Sequence, residues 1–279
     1  MATPLEIGRR QIGRVRRSGE HILRQASAAD RPLPDFLIIG AQKAGTTSLH
    51  AYLSEHSRVP VPTKKEVHFF DHEFHRGTGW YRAHFQREKS GRTLSGEATP
   101  YYLFHPLVPE RVAEVLPECK LIVLLRDPVD RAFSHHNHEC ALGFEDLDFE
   151  EAIVAEPQRL AGEEERLVRE LRYRSFAHQH HSYLSRGRYA EQLERWLEYF
   201  GRERLLVLSA EDLFTEPGKI VGEAQEFLGL AAETPADLSA KNARTYAPIG
   251  EQARADLQAI FEPHNRRLYE LVGRDFDWD

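Results

Sequence analysis

Short apolar runs alternate along this chain with stretches whose apolar residues recur at helical spacing. Phe36–Ile39, Leu121–Leu125 (LIVLL) and Leu205–Leu208 are short apolar runs that read as buried strands, and Thr93–Ala98 is a further candidate strand. Between them, helical patterns start at Thr46, with Leu49, Tyr52 and Leu53 on one face, and cover 108–116 and 129–142. Trp80, Tyr81 and Phe85 suggest a short helix. From Phe149 to Phe200 the pattern is mostly helical and heavily charged, with 163–174 a solvated face and Leu193, Trp196, Leu197 and Phe200 a core-facing stripe. Helices over 219–228 and 252–271 follow, separated by a loop from Ala231 to Gly250. Strands alternating with helices predict an α/β fold in three layers, a central parallel sheet flanked by helices.

Composition narrows the class. At 279 residues the chain can bury a sizeable core, and 29% charged against 41% hydrophobic residues is ordinary for a soluble protein. A net charge of −7 argues against general nucleic-acid binding. No apolar run reaches the ~18 residues of a transmembrane segment, and no signal peptide is evident. Two cysteines, Cys119 and Cys140, give no disulfide framework, which suits a cytoplasmic protein. Residues 1–34 stand apart as a basic arm. Seven arginines against Glu6, Glu20 and Asp30 leave it at +4, so the remainder carries −11. The arm reads as a surface segment or as a tether making peripheral contact with an acidic membrane. Pro32 and Pro34 separate it from a single domain over 35–279.

The most informative stretch is DFLIIGAQKAGTTSLHAYL, from Asp35 to Leu53. A strand, a turn with Gly40 and Gly45, and a helix start form an anion site, because first-turn N–H groups lack intrahelical partners. Lys43, Ala44, Gly45, Thr46, Thr47 and Ser48 are the candidate contacts, and both glycines are expected to let the backbone approach the anion. The turn is P-loop-like but not an NTP loop, since Thr46 stands where G-x-x-x-x-G-K-[ST] requires lysine. A kinase-like nucleotide-binding protein is therefore the weaker alternative.

Two further strand ends carry chemistry. After LIVLL, Arg126 and Ser134 can hold a second phosphate, while Asp127 and Pro128 suit a helix cap and first helical position. In Glu66-Val67-His68, residues two apart on an extended segment share a face, so Glu66 and His68 can address one reacting hydroxyl. His138 is a candidate for proton handling on the helix of Ser134. His135, His136, His178, His180 and His181 do not make a convincing metal site, and no metal is expected.

Together these residues resemble the sulfotransferases that use 3′-phosphoadenosine 5′-phosphosulfate (PAPS), most nearly the heparan sulfate glucosaminyl N- and 3-O-sulfotransferase branch. The glycine turn matches the 5′-phosphosulfate loop with Lys43 at the catalytic lysine, and LLRDPVDRAFS matches the 3′-phosphate segment of Arg126 and Ser134. EVHFFD matches the 3-O branch, which implies Glu66 as base, and His138 sits where the N-branch has an active-site histidine. Arg244 carries over from the late cofactor loop, here Asn242-Ala243-Arg244. The resemblance implies release of 3′,5′-ADP and a carbohydrate or glycosylated acceptor, with a phenol or lipid alcohol as the alternative. The chain departs at Ala98, where a lysine is expected, and lacks the cysteine-bridged hairpin before the late loop.

Overall fold

The computed structural model describes residues 21, 23–87, 93–241 and 248–278. In chain order the elements are β1 (Phe36–Gly40), α1 (Thr46–Ser54), α2 (Gly77–Arg82), β2 (Gly96–Ala98), α3 (Val108–Val115), β3 (Lys120–Leu125), α4 (Pro128–Leu142), α5 (Phe149–Leu160), α6 (Glu163–Arg169), α7 (Phe176–His180), α8 (Tyr189–Leu197), β4 (Leu205–Ser209), α9 (Ala210–Thr215), α10 (Pro217–Leu228) and α11 (Glu251–Val272).

The four strands form one parallel sheet in the order β2-β1-β3-β4, flanked by helices in the P-loop-like α/β arrangement. The apolar runs dictate this. Leu121 to Leu125 are all fully buried, as are Leu37, Ile38 and Ile39, which is the burial a strand covered on both faces requires. Leu193 and Trp196 of α8 and Ile220, Val221 and Ala224 of α10 pack into the same core. A smaller cluster joins Val129 and Ala132 of α4 to Phe149 and Ala152 of α5, Tyr183, and Leu257 and Phe261 of α11.

The strand order sets where a ligand can enter. From β1 the chain builds β2 on one side, then crosses back to build β3 on the other. The loops leaving β1 and β3 therefore diverge and open a crevice at the carboxyl ends of the two central strands.

Several elements differ from the sequence pattern. The strand expected over 93–98 pairs only at Gly96–Ala98, because before it Leu94 N donates to Arg58 O at 2.8 Å and Ser95 N to Asp35 Oδ2 at 2.8 Å rather than to a neighbouring strand. The helix expected over 163–174 ends at Arg169, and Tyr173 OH turns back to Glu163 Oε2 at 2.7 Å. Most of the expected basic arm lies outside the described residues. Its far end is docked, with Arg24 Nε donating to Ala83 O at 2.7 Å and Arg31 Nη1 to Phe85 O at 2.9 Å.

Candidate active site

The crevice is a cavity of about 870 Å³ lined by both strand-end loops, by α4 and by the Lys65–His68 segment. Lys43, Gly45, Thr46, Thr47, Ser48, Glu66, His68, Arg126, Ser134 and His138 all line it. These ten residues, up to 95 positions apart in sequence, thus share one space. Arg244 lies outside the described residues.

At the β1 end, Lys43 and Gly45 have positive φ, 74° and 89°, which folds the chain tightly into the start of α1. No side chain caps α1 at Gly45, so its first-turn N–H groups remain directed to the loop that Lys43 and the threonines occupy. Gly45 must be glycine for two reasons, its φ and the 3.0 Å approach of Leu213 and Phe214 to any Cβ there. One expectation is corrected. Gly40 serves packing rather than anion approach, since a Cβ at that strand residue would sit 2.7 Å from Leu103 Cβ. The Ala44 methyl is fully buried in the core and absent from the cavity wall, so Ala44 has only its backbone to offer a ligand. Ser48 Oγ already accepts from Lys241 N at 2.9 Å, tying α1 to the late loop.

At the β3 end, Asp127 caps α4, accepting from Val129 N at 2.7 Å and Asp130 N at 3.3 Å, with Pro128 first in the helix. Burial, with Asp130 nearby, raises the Asp127 pKa above the usual carboxylate range against these bonds. Arg126 Nη1 donates to Lys43 O at 3.1 Å, so the guanidinium bridges the two strand-end loops. Ser134, His138 and Leu142 follow at intervals of four and all face the cavity, making α4 a rail along its wall.

The third group is a chain of charges. Lys65 Nζ lies 2.8 Å from Glu66 Oε1, His68 Nε2 lies 3.6 Å from Glu66 Oε2, and His68 Nδ1 lies 2.6 Å from Asp71 Oδ2. Asp71 is fully buried, whereas the Glu66 side chain is 41% exposed to the cavity. Burial favours neutral His68, but Asp71 and Glu66 outweigh it and raise its pKa to about 10. Burial likewise pushes the two carboxyls up, yet His68, with Lys65 for Glu66, holds both down to about 2. His68 is therefore an imidazolium between two carboxylates at neutral pH. Behind it, the fully buried carboxylate of Glu97 accepts from Val67 N at 3.0 Å, Tyr81 OH at 2.7 Å, Thr99 Oγ1 at 2.7 Å and Tyr102 OH at 2.9 Å. That clamp fixes Val67 and hence the flanking Glu66 and His68. Burial outweighs these bonds and raises the Glu97 pKa. At Ala98 there is no cation, but Ala98 N donates to Lys65 O at 3.1 Å, and it is Lys65 that brings an ammonium to Glu66.

Sequence reasoning passed over Asp71, Glu97 and Arg186. Asp71 had a signal, its i+3 spacing from His68. Arg186 had none. Its buried guanidinium donates to Gln42 Oε1 of the glycine turn, to His178 O at 3.0 Å and to Gln179 O at 2.7 Å, and it lies 4.9 Å over the Tyr101 ring. Burial lowers its pKa to about 10. The histidines of α4 divide. His135 is fully buried against Glu139 at 3.2 Å, His136 Nε2 donates to Leu147 O at 2.9 Å, and His138 lines the cavity. Among the described residues, His68, Asp71 and His72 are the group whose donor atoms converge within 4.8 Å, at metal-ligand range. The imidazolium form of His68 has no lone pair for an ion.

The family model of the sulfotransferase domain matches residues 33–246. The mouse heparan sulfate glucosamine 3-O-sulfotransferase 6 is 30% identical over 89% of this chain and 75% of its own length. The membrane-associated sulfotransferase kil1 of Dictyostelium discoideum is 28% identical over 88% of this chain and 66% of its own length. The human bifunctional heparan sulfate N-deacetylase/N-sulfotransferase 3 is 32% identical over 86% of this chain, which spans only 30% of that protein. The crystal structure of a sulfotransferase from Alicyclobacillus acidocaldarius superposes with a TM-score of 0.67 at 32% identity, covering 88% of this chain and 99% of that one. This chain belongs to the sulfotransferase domain family.

Proposed function

We propose that this chain transfers a sulfuryl group from PAPS to a hydroxyl (or amine) of a carbohydrate-bearing acceptor, leaving 3′,5′-ADP. The observation that carries this reading is the joint presence of Lys43 and the ionised, cavity-exposed Glu66 on one wall-to-wall cavity at the sheet's switch point. The donor set suits the nucleotide. An uncapped helix start with Lys43, Thr46 and Thr47 fits a 5′-phosphosulfate, and Arg126 with Ser134 fits a 3′-phosphate, a group that ATP lacks. Arg244 of the late loop completes the proposed nucleotide contacts.

PAPS, when bound, supplies an activated sulfuryl group. The chain's residues then have separable tasks. Glu66 Oε2 receives the proton of the acceptor hydroxyl. His68, already protonated, offers no lone pair as a base and instead orients Glu66 through Nε2 while Asp71 fixes its other nitrogen. His138 stands on the same wall, available to hydrogen-bond the acceptor. Lys43 and the α1 N–H groups stabilise negative charge at the departing phosphate. Because Lys65 lowers the basicity of Glu66, an acceptor that displaces the Lys65 ammonium strengthens the base.

The heparan sulfate relatives support a glycan acceptor. The phenol or lipid-alcohol alternative uses the same chemistry. A kinase-like reading is disfavoured by Thr46 in the P-loop lysine position. No described helix is long and apolar enough to cross a membrane; peripheral contact through the basic arm is part of the proposal, as is a cytoplasmic location, in keeping with the exposed free thiol of Cys140. The test is ligand-dependent melting followed by turnover. 3′,5′-ADP should raise the melting temperature more than ATP–Mg, and labelled PAPS should pass its label to an acceptor in a glycan and glycoside panel. Equal stabilisation by ATP–Mg with no label transfer would sink the reading.

A further inference from the structure

The far end of the cavity is built differently from its nucleotide end. Beyond Ser134 and His138, the α4 rail reaches Leu142, 48% exposed. The helix then stops at Gly143, whose φ of 74° permits a paired C-terminal cap, with Gly143 N donating to Cys140 O at 3.0 Å and Phe144 N to Glu139 O at 2.9 Å. That cap, with His181 Nε2 donating to Phe144 O at 2.9 Å, sets Phe144 at the rim. Across from it, Phe176 opens α7, with its ring 5.4 Å from that of Phe144 and edge-on to it. His180, which lines the cavity, lies 4.8 Å from the Phe144 ring and 4.5 Å from the Phe176 ring.

Phe144 and Phe176 are 42% and 49% exposed, so together with Leu142 they make a fixed apolar lip continuous with the cavity. Exposed apolar residues scattered singly mean little, but three joined to one another or to the site are another matter. The α4 carboxylate on the cavity wall is consumed. Glu139 is 1% exposed and its two oxygens meet His135 Nε2 at 3.2 Å and His180 Nδ1 at 2.9 Å. The cavity's lysines and arginines, Lys43, Lys65, Arg126, Arg186 and Lys241, come from other elements, as does the His68 imidazolium, so α4 and α7 bring neither lysine nor arginine to its wall. A ligand leaving the site over this rim meets rings, and Arg174, just before Phe176, is held by Glu73 at 2.7 Å.

We propose that the acceptor is an amphiphile, with its hydroxyl-bearing head at Glu66 and an alkyl or aryl tail laid on Leu142, Phe144 and Phe176. This rests on the proposed sulfuryl transfer for the identity of the head, but the tail site is testable by binding alone. The probes are two alkyl series from methyl to octyl, β-glucosides and primary alcohols, kept below their aggregation concentrations. Each is titrated calorimetrically into the full chain with 3′,5′-ADP present, and each is then assayed with PAPS. Affinity should rise about twofold per methylene, roughly half of the fourfold that complete burial gives. Phe144→Ser and Phe176→Ser should flatten that slope while leaving the melting temperature and the 3′,5′-ADP affinity in place, since both rings are half exposed. No chain-length dependence in the wild type, or an unchanged slope in both variants, overturns the tail site. So does vesicle binding that depends on the two rings while alkyl-glycoside binding does not, because the lip would then face a membrane. Chain-length-dependent binding without any sulfation leaves the lip standing and removes the proposed reaction; sulfation of methyl glucoside with no slope does the reverse.

Discussion

The two ends of the cavity are made by opposite means. At the proposed nucleotide end, the loops of β1 and β3 present backbone groups: the uncapped start of α1, and the Lys43 carbonyl that holds Arg126 at 3.1 Å. Such a site follows from strand, turn and helix in succession. At the proposed acceptor end the groups are side chains, Lys65, Glu66, His68 and Asp71, around Val67, which a buried carboxylate thirty residues further on holds. The first end is written locally and tolerates variation between its fixed points. The second is a network whose members set each other's charge, so removal of one changes the others.

The comparison can be broken most decisively at Glu66. Glu66→Gln keeps shape and removes the proton acceptor, so turnover should fall about 10²–10³-fold, a moderate loss because a carboxylate held near 2 is a weak base. Its 3′,5′-ADP affinity, read by calorimetry, should stay within twofold, roughly the scatter of such a measurement. A near wild-type rate across the pH range would remove Glu66 as base and make His138 the next residue to test. Lys43→Ala should cost about 10²-fold in turnover and, unlike Glu66→Gln, also weaken 3′,5′-ADP. A loss in turnover alone would move Lys43 away from the phosphates.

Arg126→Ala should weaken 3′,5′-ADP about 10–100-fold, the worth of a charged hydrogen-bond donor, and Ser134→Ala about fivefold, that of a neutral one. Neither should weaken 5′-AMP, which lacks the 3′-phosphate. Equal losses for both nucleotides would show that Arg126 acts only by joining the two loops.

The smallest effect sharpens the contrast through pH. The His68 pKa is raised to about 10, so its contribution to stability is complete below pH 6.5 and is lost as pH climbs through 10. The Asp71 pKa is depressed to about 2, so its contribution is present above pH 3.8 and is lost as pH falls through 2. Wild type should therefore lose more melting temperature between pH 6.5 and 10 than His68→Gln, by about 2–4 °C for each kcal/mol of coupling. Parallel curves would mean that the imidazolium is not stabilised in the native state. Arg126→Ala should leave this pH dependence untouched.

The sequence alone determined the parallel α/β plan and the strand–turn–helix at Gly45. Both depend on short-range pattern: short apolar runs such as LIVLL alternating with helical patterns read as strands covered on two faces, and Gly45 followed by three hydroxyl residues reads as a helix start. It also paired Glu66 with His68, but through an extended segment, whereas His68 is left-handed with φ 59° and the 3.6 Å contact is made from that turn. Tertiary structure decided what those residues are. Whether His68 is a base or a cation depends on Asp71 and Glu66 lying on both of its nitrogens, and whether Glu66 is held depends on Glu97 reaching Val67 from β2. Gly40 looked like part of the anion loop until Leu103 was seen against it. The apolar lip arises where the end of α4 meets the start of α7, 32 positions apart from Phe144 to Phe176. Charge state, clamping and rim polarity are properties of packing between segments remote in sequence, and no local pattern encodes them.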